Sequence, residues 1–597
     1  MWSRIASYFF TSGDLDFYWR EQIFAFHWLP QIFWQNSGFG TSVIQSLWLS
    51  YPFVVVVKVF STIGCSWWMI EKLFWIAIFA LGIYSSYRLA KYVLNNSSWS
   101  LLAPVIYTSN TYVLLLFSGG QLGMMMAYSL SPLVLLKFIE HIDRYDDLRC
   151  TIYDLRRIIS NGLLFALLVC FDLRVAYLVM GAIVWYFVFS ILHLVCNHTF
   201  SKRYTLYQIL TIIVIPLFIT TVIHLFWILP IMFVRTGVSL VGEDFTNPGM
   251  IKFLSVADFS HAISFLHPNW PENLFGKVYF LQSEFLVLPI IAFSSLLFLN
   301  KTNGTDKTNR TNILFIALFS LLGAFLSKGA NPPFGGIFIW LFNTVPGFVM
   351  FRDPTKFYLY IAIGCSILIP YTLSQLKNVA FRVSSLEKLF NRNSVSVLCC
   401  LLFLGFWLFT IRAVFTGQVT GNFTPLRLTS DYILFKNMLV ADTTPYRTLW
   451  IPKTDKFVFS SDTHPALTAD TLWKNASTGA LLRIIEQPEF IKTIENAGVR
   501  YIIVPQDPEK RIFLSDYTFD ETQRSSLVET VTKTGLRQLP EFQEFTVFEN
   551  PRYVFQSSVP VYVKEQEYWS RVGLGIAGSV LIFVICLWVY DRKIRIK

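Results

Sequence analysis

Long apolar runs separated by polar connections make up most of this chain. Eleven of these runs approach or reach the length that crosses a bilayer as a helix, at about 1.5 Å per residue. They lie at 70–94, 99–117, 120–139, 158–171, 175–196, 206–234, 280–300, 312–329, 356–376, 395–415 and 571–590. The pattern predicts an all-α polytopic membrane protein with about eleven transmembrane helices.

Residues 416–569 follow a different pattern, in which short apolar runs alternate with turn residues. Strands are predicted at Tyr446–Ile451, Lys456–Ser460, Val499–Val504 and Phe542–Phe548. A helix is predicted at Ala480–Ala497, with Gly498 at its C-cap. The predicted parts are a transmembrane domain at 1–415 with outer loops at 1–68, 235–279 and 330–355, a small α/β domain at 416–569, and a C-terminal helix with a basic tail at 570–597.

Many of the Lys and Arg residues lie in alternate connections between the apolar runs, at 140–157, 301–311 and 377–394 and after residue 590. Positive residues concentrate on the cytoplasmic side of membrane proteins. The sequence therefore predicts a plasma-membrane protein with a cytoplasmic C-terminus and an extracytoplasmic α/β domain. The N-terminus then falls outside, so either a twelfth helix precedes Met1 or residues 43–63 re-enter the membrane without crossing it.

Composition narrows the classes of function. Only 15% of the 597 residues are charged and 54% are hydrophobic, so the chain has too little charge to cover several soluble domains. The net charge of +11 is spread over many loops, which argues against nucleic acid as a partner and leaves membrane lipids. The eight cysteines show no zinc-ligand spacing, and the sequence contains no nucleotide-binding motif.

Two carboxylates near the N-terminus are candidates for chemistry. Asp14 and Asp16 follow Gly13 and are two residues apart. Such a pair can hold a hard divalent cation, Mg²⁺ or Mn²⁺, or leave one carboxylate free as a general base. The alternative is a solvated loop with no chemical role, because this spacing is common in long proteins.

Three cations are candidates for binding a phosphate. Arg352 and Lys356 precede the apolar run at 356–376, with Asp353 between them as a partner that would orient Arg352. Arg174 lies with Asp172 in a polar break between two apolar runs, where ionisable groups are costly unless they are functional or reach the interface. The alternative for each cation is an interfacial anchor that extends its charge towards water.

The predicted outer loop 235–279 carries further titratable residues. They are Glu243, Asp244, Asp258, His261 and His267. These side chains can act as acids, bases or metal ligands, and we predict an acceptor-binding or auxiliary role for His261, His267, Glu243 and Asp244. Their spacing matches no known ligand set, so a solvated loop is the alternative.

Short motifs follow one another along nearly the whole chain. They are Gly13-Asp14-Leu15-Asp16, a loop with Trp34, Gly38 and Gly40, Tyr51-Pro52, Tyr107 with Asn110, Gly119-Gly120-Gln121, Tyr128 with Pro132, Asn331-Pro332-Pro333, Pro346 and Phe351-Arg352-Asp353-Pro354-Thr355-Lys356-Phe357. Their order resembles that of the GT-C superfamily of polytopic glycosyltransferases, which use sugars linked to polyprenyl phosphate. The segment Gly498–Val504 is similar to the outer domain of the arabinofuranosyltransferase-like branch.

The resemblance implies an inverting-type transfer of a sugar from a polyprenyl-phosphate donor to a glycan, lipid or protein acceptor of the cell envelope. In this superfamily the first outer loop carries an acidic motif, and Asp14 and Asp16 occupy that place here, as base or as ligands of a divalent cation. The donor phosphate would lie near Arg352 and Lys356. The alternative is a non-catalytic transporter or scaffold for lipid-linked envelope glycans.

Overall fold

The computed structural model describes residues 8–143, 152–196, 209–234, 248–267, 283–301, 307–383, 392–417, 419, 421–474, 476–506, 519–556 and 559–596. Most of these residues are helical. The chain forms two compact units. The first, here called the sheet unit, contains Met1–Lys72, Phe226–Thr236 and Thr424–Leu574, and the second, here called the helical unit, contains Leu73–Leu225, Gly237–Phe423 and Gly575–Lys597.

The helical unit consists of long apolar helices and several short ones. The helices that lie within it are Leu102–Thr108, Thr111–Ser118, Leu122–Asp143, Ile152–Phe171, Leu173–Cys196, Ile215–Ile223, Pro248–Leu254, Phe259–Ile263, Val287–Phe293, Lys307–Ser327, Gly335–Thr344, Tyr358–Val383, Arg392–Thr410 and Arg412–Phe415. Single 3₁₀ turns include Ser98–Leu101, Phe348–Phe351 and Pro354–Phe357. Three helices, Trp67–Val93, Leu225–Phe233 and Val561–Ile596, contribute residues to both units.

Six helical segments among the described residues are long and apolar enough to cross a membrane, and this number rises to eight if two bent helix pairs each count as one span. The six are Ile44–Thr62, Trp67–Val93, Leu122–Asp143, Leu173–Leu192, Pro354–Leu376 and Val561–Cys586. The chain is therefore an integral membrane protein. At the runs beginning near residues 280, 312 and 395 the apolar helices have 17 residues or fewer, so the count of eleven spans stays a prediction.

The segment Pro354–Leu376 is the most enclosed of these six spans. Of its apolar window 89% is buried within the protein, against 17% for Val561–Cys586. Apolar side chains on the outer helices need no protein cover, because lipid solvates them as well as another helix does. Tyr358–Val383 thus forms the centre of the helical unit, and the residues just before it are held from several sides.

Tyr107, Asn110 and Tyr128 form a buried junction in the helical unit. The two tyrosine rings stack with centroids 4.2 Å apart, and each hydroxyl donates to the backbone carbonyl of the other residue. Asn110 caps Thr111–Ser118 by accepting from the Val113 N–H at 3.1 Å and donates to the Tyr128 hydroxyl at 3.1 Å. These motif residues satisfy buried polar groups, and they fix where Thr111–Ser118 begins.

The described residues of the sheet unit form nine short strands. They are β1 Tyr8–Phe9, β2 Phe33–Trp34, β3 Thr41–Ser42, β4 Leu426–Arg427, β5 Arg447–Trp450, β6 Ala466–Thr468, β7 Val499–Pro505, β8 Arg537–Leu539 and β9 Phe545–Glu549. Strands β1 and β4 pair with each other, as do β2 and β3, and the other five form one sheet in the order β6-β5-β7-β9-β8. Its helices are Arg20–Ala25, Leu47–Thr62, Ser430–Ala441, Ala469–Leu472, Thr478–Ile485, Glu489–Asn496 and Glu521–Lys533.

Strands β5, β6 and β7 are parallel, whereas β9 is antiparallel to both β7 and β8. The central strand β7 is buried along almost its full length, as expected for a strand covered on both faces. One face packs on Leu481, Ile485, Phe490, Ile494 and Leu527 from three helices. The α/β architecture of this part of the chain is therefore confirmed.

The predicted strands at Tyr446–Ile451, Val499–Val504 and Phe542–Phe548 are confirmed in substance as β5, β7 and β9. Gly498 adopts a φ of +70°, as a helix C-terminus requires. The predicted helix at Ala480–Ala497 is two helices, because Pro488 interrupts it. The prediction of a strand at Lys456–Ser460 is wrong: Lys456 and Phe457 lie in a turn, residues 458–460 are irregular, and polar groups of the segment pair with N-terminal residues instead of with a strand.

Candidate functional site

The acidic pair lies in the sheet unit, in the turn that follows β1. Gly13 takes a φ of +66°, a conformation that favours glycine, and this turn exposes both carboxylates. The Asp16 side chain is 69% exposed. Leu15 and Phe17, on either side of Asp16, are buried and hold the exposed segment in place.

Lys456 connects the acidic turn to the segment that precedes β6. Its ammonium donates to the Gly13 carbonyl at 2.5 Å and lies 3.6 Å from an Asp16 carboxylate oxygen. The ring of Phe457, the next residue, packs edge-on against Phe9 and Phe17 with centroids 5.8 and 5.1 Å apart. The position of Asp16 therefore depends on a contact with a residue more than 400 positions away in the sequence.

Carboxylates are the right donors for Mg²⁺ or Mn²⁺, which commonly bind one or two of them together with water and substrate phosphates. Among the described residues, no group of three or more His, Cys, Asp or Glu side chains is arranged to hold a metal ion. A metal ion at Asp14 and Asp16 would share Asp16 with the Lys456 ammonium. This arrangement favours the free carboxylate over the metal ligand as the role of Asp16.

A second set of charges lies in the helical unit, at the start of two apolar helices. Asp172 directly precedes Leu173–Cys196 and accepts from the backbone N–H groups of Arg174 at 2.8 Å and Val175 at 3.2 Å. Its carboxylate also binds the guanidinium of Arg174, through Nη2 at 2.6 Å and Nε at 3.1 Å. Burial acts against the charged Asp172 carboxyl, but Arg174 outweighs burial, and the pKa is lowered.

The Arg174 guanidinium is only partly used by this pair. Nε and Nη2 face Asp172, and no group in the described part of the chain accepts a hydrogen bond from Nη1. The Arg174 side chain remains 39% exposed, while that of Asp172 is 3% exposed. Asp172 thus holds one edge of the guanidinium fork and leaves the other edge available.

The second helix start is organised by Asp353. Its carboxylate accepts from the Thr355 N–H at 3.0 Å and hydroxyl at 2.6 Å, and pairs with the Lys356 ammonium at 2.7 Å. Burial opposes the charged form, but Lys356 and these hydrogen bonds lower the pKa of Asp353 to about 2. The sequence suggested Arg352 as the partner of Asp353, whereas the ion pair that forms is with Lys356, whose side chain is 6% exposed.

These two helix starts are close to each other. The charge of Lys356 acts on the Asp172 carboxyl, and burial followed by repulsion from Arg174 lowers the pKa of Arg352. Arg352 nevertheless stays charged at neutral pH, as arginine does in proteins. Together with Asp353, three cations and two carboxylates are assembled here, and the amino ends of two helices add positive potential. The name cationic cluster is used below for Asp172, Arg174, Arg352, Asp353 and Lys356.

Aromatic rings lie close enough to the cationic cluster to feel its charges. His267 stacks on Tyr112 with centroids 5.2 Å apart and lies 4.8 Å from the Tyr358 ring. Burial lowers the pKa of His267 to about 3, so its ring is neutral at neutral pH. The charges of Asp353, Arg174 and Asp172 all act on the Tyr112 hydroxyl, which is buried without a hydrogen-bond partner among the described residues.

His261 helps to cap a short helix. Asp258 accepts from the His261 N–H at 2.8 Å, and the His261 ring accepts from the Asp258 N–H at 3.2 Å, which is a reciprocal cap of the helix Phe259–Ile263. Burial lowers the pKa of His261 in spite of Asp258. Glu243 and Asp244 lie outside the described residues.

The structure thus brings Arg174, Arg352, Lys356 and His267 together in the helical unit, whereas Asp14 and Asp16 belong to the sheet unit. Sequence reasoning missed Tyr112. It lies in the apolar run at 99–117, where an aromatic residue is ordinary, and only its position after the cap Asn110 sets it apart.

No protein-family model matches the chain, and no curated protein matches its sequence. Solved structures do match its fold. The cryo-EM structure of the arabinofuranosyltransferase AftD from Mycobacteria superimposes with a TM-score of 0.57 at 12% identity, over 87% of this chain and 36% of that chain. A mutant R1389S form of AftD gives a TM-score of 0.54 at 12% identity, over 87% and 38%.

A weaker match is the oligosaccharyltransferase AglB from Archaeoglobus fulgidus in complex with an inhibitory peptide and a dolichol-phosphate. Its TM-score is 0.44 at 11% identity, over 80% of this chain and 63% of that chain. The AftD matches show that the chain shares its fold with that membrane arabinofuranosyltransferase, and the chain spans little more than a third of the length of those structures.

Proposed function

We propose that this protein transfers a sugar from a polyprenyl-phosphate donor to a cell-envelope acceptor, which is a glycan, lipid or protein, at the outer face of the plasma membrane. The observation that carries the proposal is the open edge of the Arg174 guanidinium within the cationic cluster at the start of two apolar helices. Such a place suits a ligand with a phosphate at the membrane surface and an apolar tail in the bilayer.

The cationic cluster has the charge that a lipid phosphate needs. Its three cations exceed its two carboxylates by one unit, and the helix amino ends increase the excess. A guanidinium binds phosphate through a planar fork, which favours Arg174 and Arg352 over Lys356 for direct contact. Lys356 then serves mainly to hold Asp353, and His267 remains neutral and adds no charge.

In the proposed reaction Asp14 or Asp16 accepts the proton of an acceptor hydroxyl. The hydroxyl oxygen forms a bond to the anomeric carbon of the donor sugar while the bond from that carbon to the phosphate oxygen breaks. The electron pair leaves with the polyprenyl phosphate, whose negative charge the cationic cluster stabilises. If a divalent cation binds instead, Asp14 and Asp16 would hold it, and it would neutralise charge on the leaving phosphate.

The orientation belongs to the same proposal. The basic connections between apolar runs support an orientation with the C-terminus in the cytoplasm and residues 416–569 outside. We take the three sequence parts, at 1–415, 416–569 and 570–597, as the functional division, with the second part binding or positioning the acceptor. His261, and Glu243 and Asp244 beyond the described residues, keep their proposed auxiliary role in acceptor binding.

The acidic pair provides the test of glycosyl transfer. Asp14→Asn and Asp16→Asn remove a charge at nearly constant size, and the exposure of both residues means that folding should not change. If one aspartate is the base, its variant should lose about 10²–10⁴ in rate with a polyprenyl-phosphate sugar as donor. If both hold a metal ion, both variants should lose activity and EDTA should inhibit the wild type.

Glu541→Gln is the matched control, because it removes another exposed carboxylate from the sheet unit. Its rate should stay within about twofold of the wild type, as expected for a surface position with no role. Full transfer activity in the double variant of Asp14 and Asp16 would refute the proposed role of the pair. A wild-type protein that transfers no sugar from a panel of polyprenyl-phosphate donors would favour the transporter or scaffold.

A further inference from the structure

The sheet unit contains a second candidate site, an open cleft of about 100 Å³. This volume is several times the roughly 10–15 Å³ that one water molecule needs on the same measure. One side is formed by the helix Arg20–Ala25 and the chain that follows it to Asn36, and the other by Phe459–Asp462. Its lining combines polar side chains with the aromatic rings of Phe26, Trp34 and Phe459, as in many sites for small ligands.

The cleft is held rigidly. Gln22 donates to the backbone carbonyl of Ser460 at 3.0 Å and accepts from the Trp19 N–H at 2.9 Å, so it ties the two sides together. The Gly38 N–H donates to the Ala466 carbonyl at 3.0 Å, which fixes the loop between β2 and β3 to the edge of the five-stranded sheet. A site supported in this way keeps its shape without a ligand.

Its lining combines an aromatic face with unused polar groups. Trp34 is half-buried and stacks on Phe26, with centroids 6.2 Å apart and planes at 26°. Gln31, Asn36 and Asp462 also line the cleft, and their side chains make no hydrogen bond to any described residue. Amide and carboxylate groups beside an aromatic ring suit a ligand that has hydroxyl groups on its edges and C–H groups on its faces, as a sugar ring has.

The charged residues that line the cleft restrict the class of ligand further. Among the described residues no Lys or Arg lines the cleft, so a phosphate would meet two carboxylates there and no lining cation to neutralise it. Of the two lining carboxylates, Glu21 is paired with Lys436 at 2.6 Å, which leaves Asp462 as the one without an ion pair among the described residues. One carboxylate is a weak basis for holding a cation but a strong hydrogen-bond acceptor for hydroxyl groups. The lining therefore favours a neutral glycan over an anionic or a cationic ligand.

The cleft is also near the acidic pair along the chain. Glu21 follows Asp16 by five positions, so their Cα atoms are at most about 18 Å apart. The segment 456–462 contacts both places, since Lys456 binds Gly13 and lies beside Asp16 while Ser460 binds Gln22. We propose that this cleft binds a neutral sugar of the acceptor glycan, one that precedes in the glycan chain the sugar whose hydroxyl reacts. The proposal rests on the proposed function and makes a glycan the acceptor.

The test measures binding of four neutral trisaccharides, maltotriose, cellotriose, mannotriose and arabinotriose, to the full chain in detergent by saturation-transfer NMR and calorimetry. At least one should bind the wild type saturably. Trp34→Ala should weaken that binding about tenfold because the aromatic face is removed. Asp462→Asn should weaken it about tenfold or more, since a charged acceptor is removed.

Trp34→Phe, which keeps an aromatic face, should restore most of the affinity, and Glu541→Gln should match the wild type. Asn36→Ala replaces Trp34→Ala as the first test if the latter does not fold. Failure of all four trisaccharides to bind the wild type would overturn the proposal. Trisaccharide binding that is unchanged in both Trp34→Ala and Asp462→Asn would also overturn the proposal. Displacement of the glycan by tetramethylammonium would overturn it too, because that result would indicate a cation site.

Binding of undecaprenyl phosphate is measured in parallel, because it depends on the cationic cluster and not on the cleft. Cleft variants should bind this lipid as the wild type does. If the lipid binds but no trisaccharide does, the acceptor cleft is wrong and the proposed function stands. If a trisaccharide binds at Trp34 but the lipid does not bind, the cleft stands and the donor assignment fails.

Discussion

Replacing Arg174 by lysine tests the donor site most directly, because it keeps the charge and removes the fork. In the structure Arg174 uses Nε and Nη2 on Asp172, and Nη1 remains for a ligand. A lysine ammonium is a single point and cannot bind Asp172 along one edge while presenting a second edge to a phosphate. Arg174→Lys should therefore bind either Asp172 or the donor well, but not both.

The size of the effect follows from the hydrogen bond that lysine cannot make to the phosphate. A hydrogen bond to a charged group contributes about 1.5–3 kcal/mol, so its absence should weaken donor binding by about 10–100-fold. Arg174→Gln should cost at least as much, because the charge is removed as well. In Arg174→Gln the Asp172 side chain, which is 3% exposed, would be a buried carboxylate without its partner. This variant should therefore also lose folding stability, for a reason unrelated to the donor.

The assay is titration of the purified protein in nanodiscs with undecaprenyl phosphate, with thermal unfolding recorded for every variant. The double variant of Arg174→Gln with Asp172→Asn removes both charges and should fold better than Arg174→Gln alone while still failing to bind the lipid. Arg412→Lys is the matched control, since Arg412 is also an arginine of the helical unit paired to a carboxylate, Glu284, at 2.9 Å. Donor affinity unchanged in both Arg174→Lys and Arg174→Gln would refute the assignment.

The other predictions concern a second arginine, the orientation and a buried histidine. Arg352→Lys should also weaken undecaprenyl-phosphate binding, by about 1–3 kcal/mol if Arg352 binds the phosphate and not at all if it is an interfacial anchor. Cysteines introduced at Ser430 and Ser525 should react with an impermeant thiol reagent in intact cells, whereas a cysteine introduced at Ser384, outside the described residues, should not. Labelling of the cysteine at position 384 would show that the proposed orientation is reversed. The pKa of His267 is about 3 when folded and about 6.5 when unfolded, so the unfolded chain binds the proton first and stability is lost as pH falls through 6.5 towards 3. Between pH 7.5 and 5.5 this loss should be about 1.4 kcal/mol, and His267→Phe should reduce the accompanying drop in melting temperature.

Much of the fold could be predicted from the sequence because lipid imposes a simple rule on it. A helix must stay apolar for about 20 residues, and the runs beginning near residues 70, 175 and 356 follow this rule and form the expected helices. The rule is less exact for shorter or broken runs. The helix pair Ser98–Thr108 and Thr111–Ser118 is bent by 41° at Asn110, whose side chain caps the second helix.

Residues 456–460 show why local patterns can mislead. The segment has the alternating pattern of a strand, but the neighbour that satisfies its polar groups comes from the N-terminal region. Lys456 binds Gly13, Phe457 accepts from the Trp19 indole at 3.1 Å and Ser460 accepts from Gln22 at 3.0 Å. Interactions over such a separation leave no mark in the local sequence, so neither the missing strand nor the cleft beside Trp34 was predictable.

The candidate donor site shows a different limit, since the sequence indicated which charged residues to consider but not which groups each of them binds. Lys356 and Arg174 look alike as cations beside apolar runs, and either can be a clamp or an anchor. Hydrogen bonds separate them: the Lys356 ammonium is buried and bound to Asp353, whereas Arg174 keeps one edge of its guanidinium exposed. Because a buried cation already paired to a carboxylate has little left to offer a phosphate, donor binding should depend on Arg174 and Arg352, and Lys356 should act by keeping Asp353 in place.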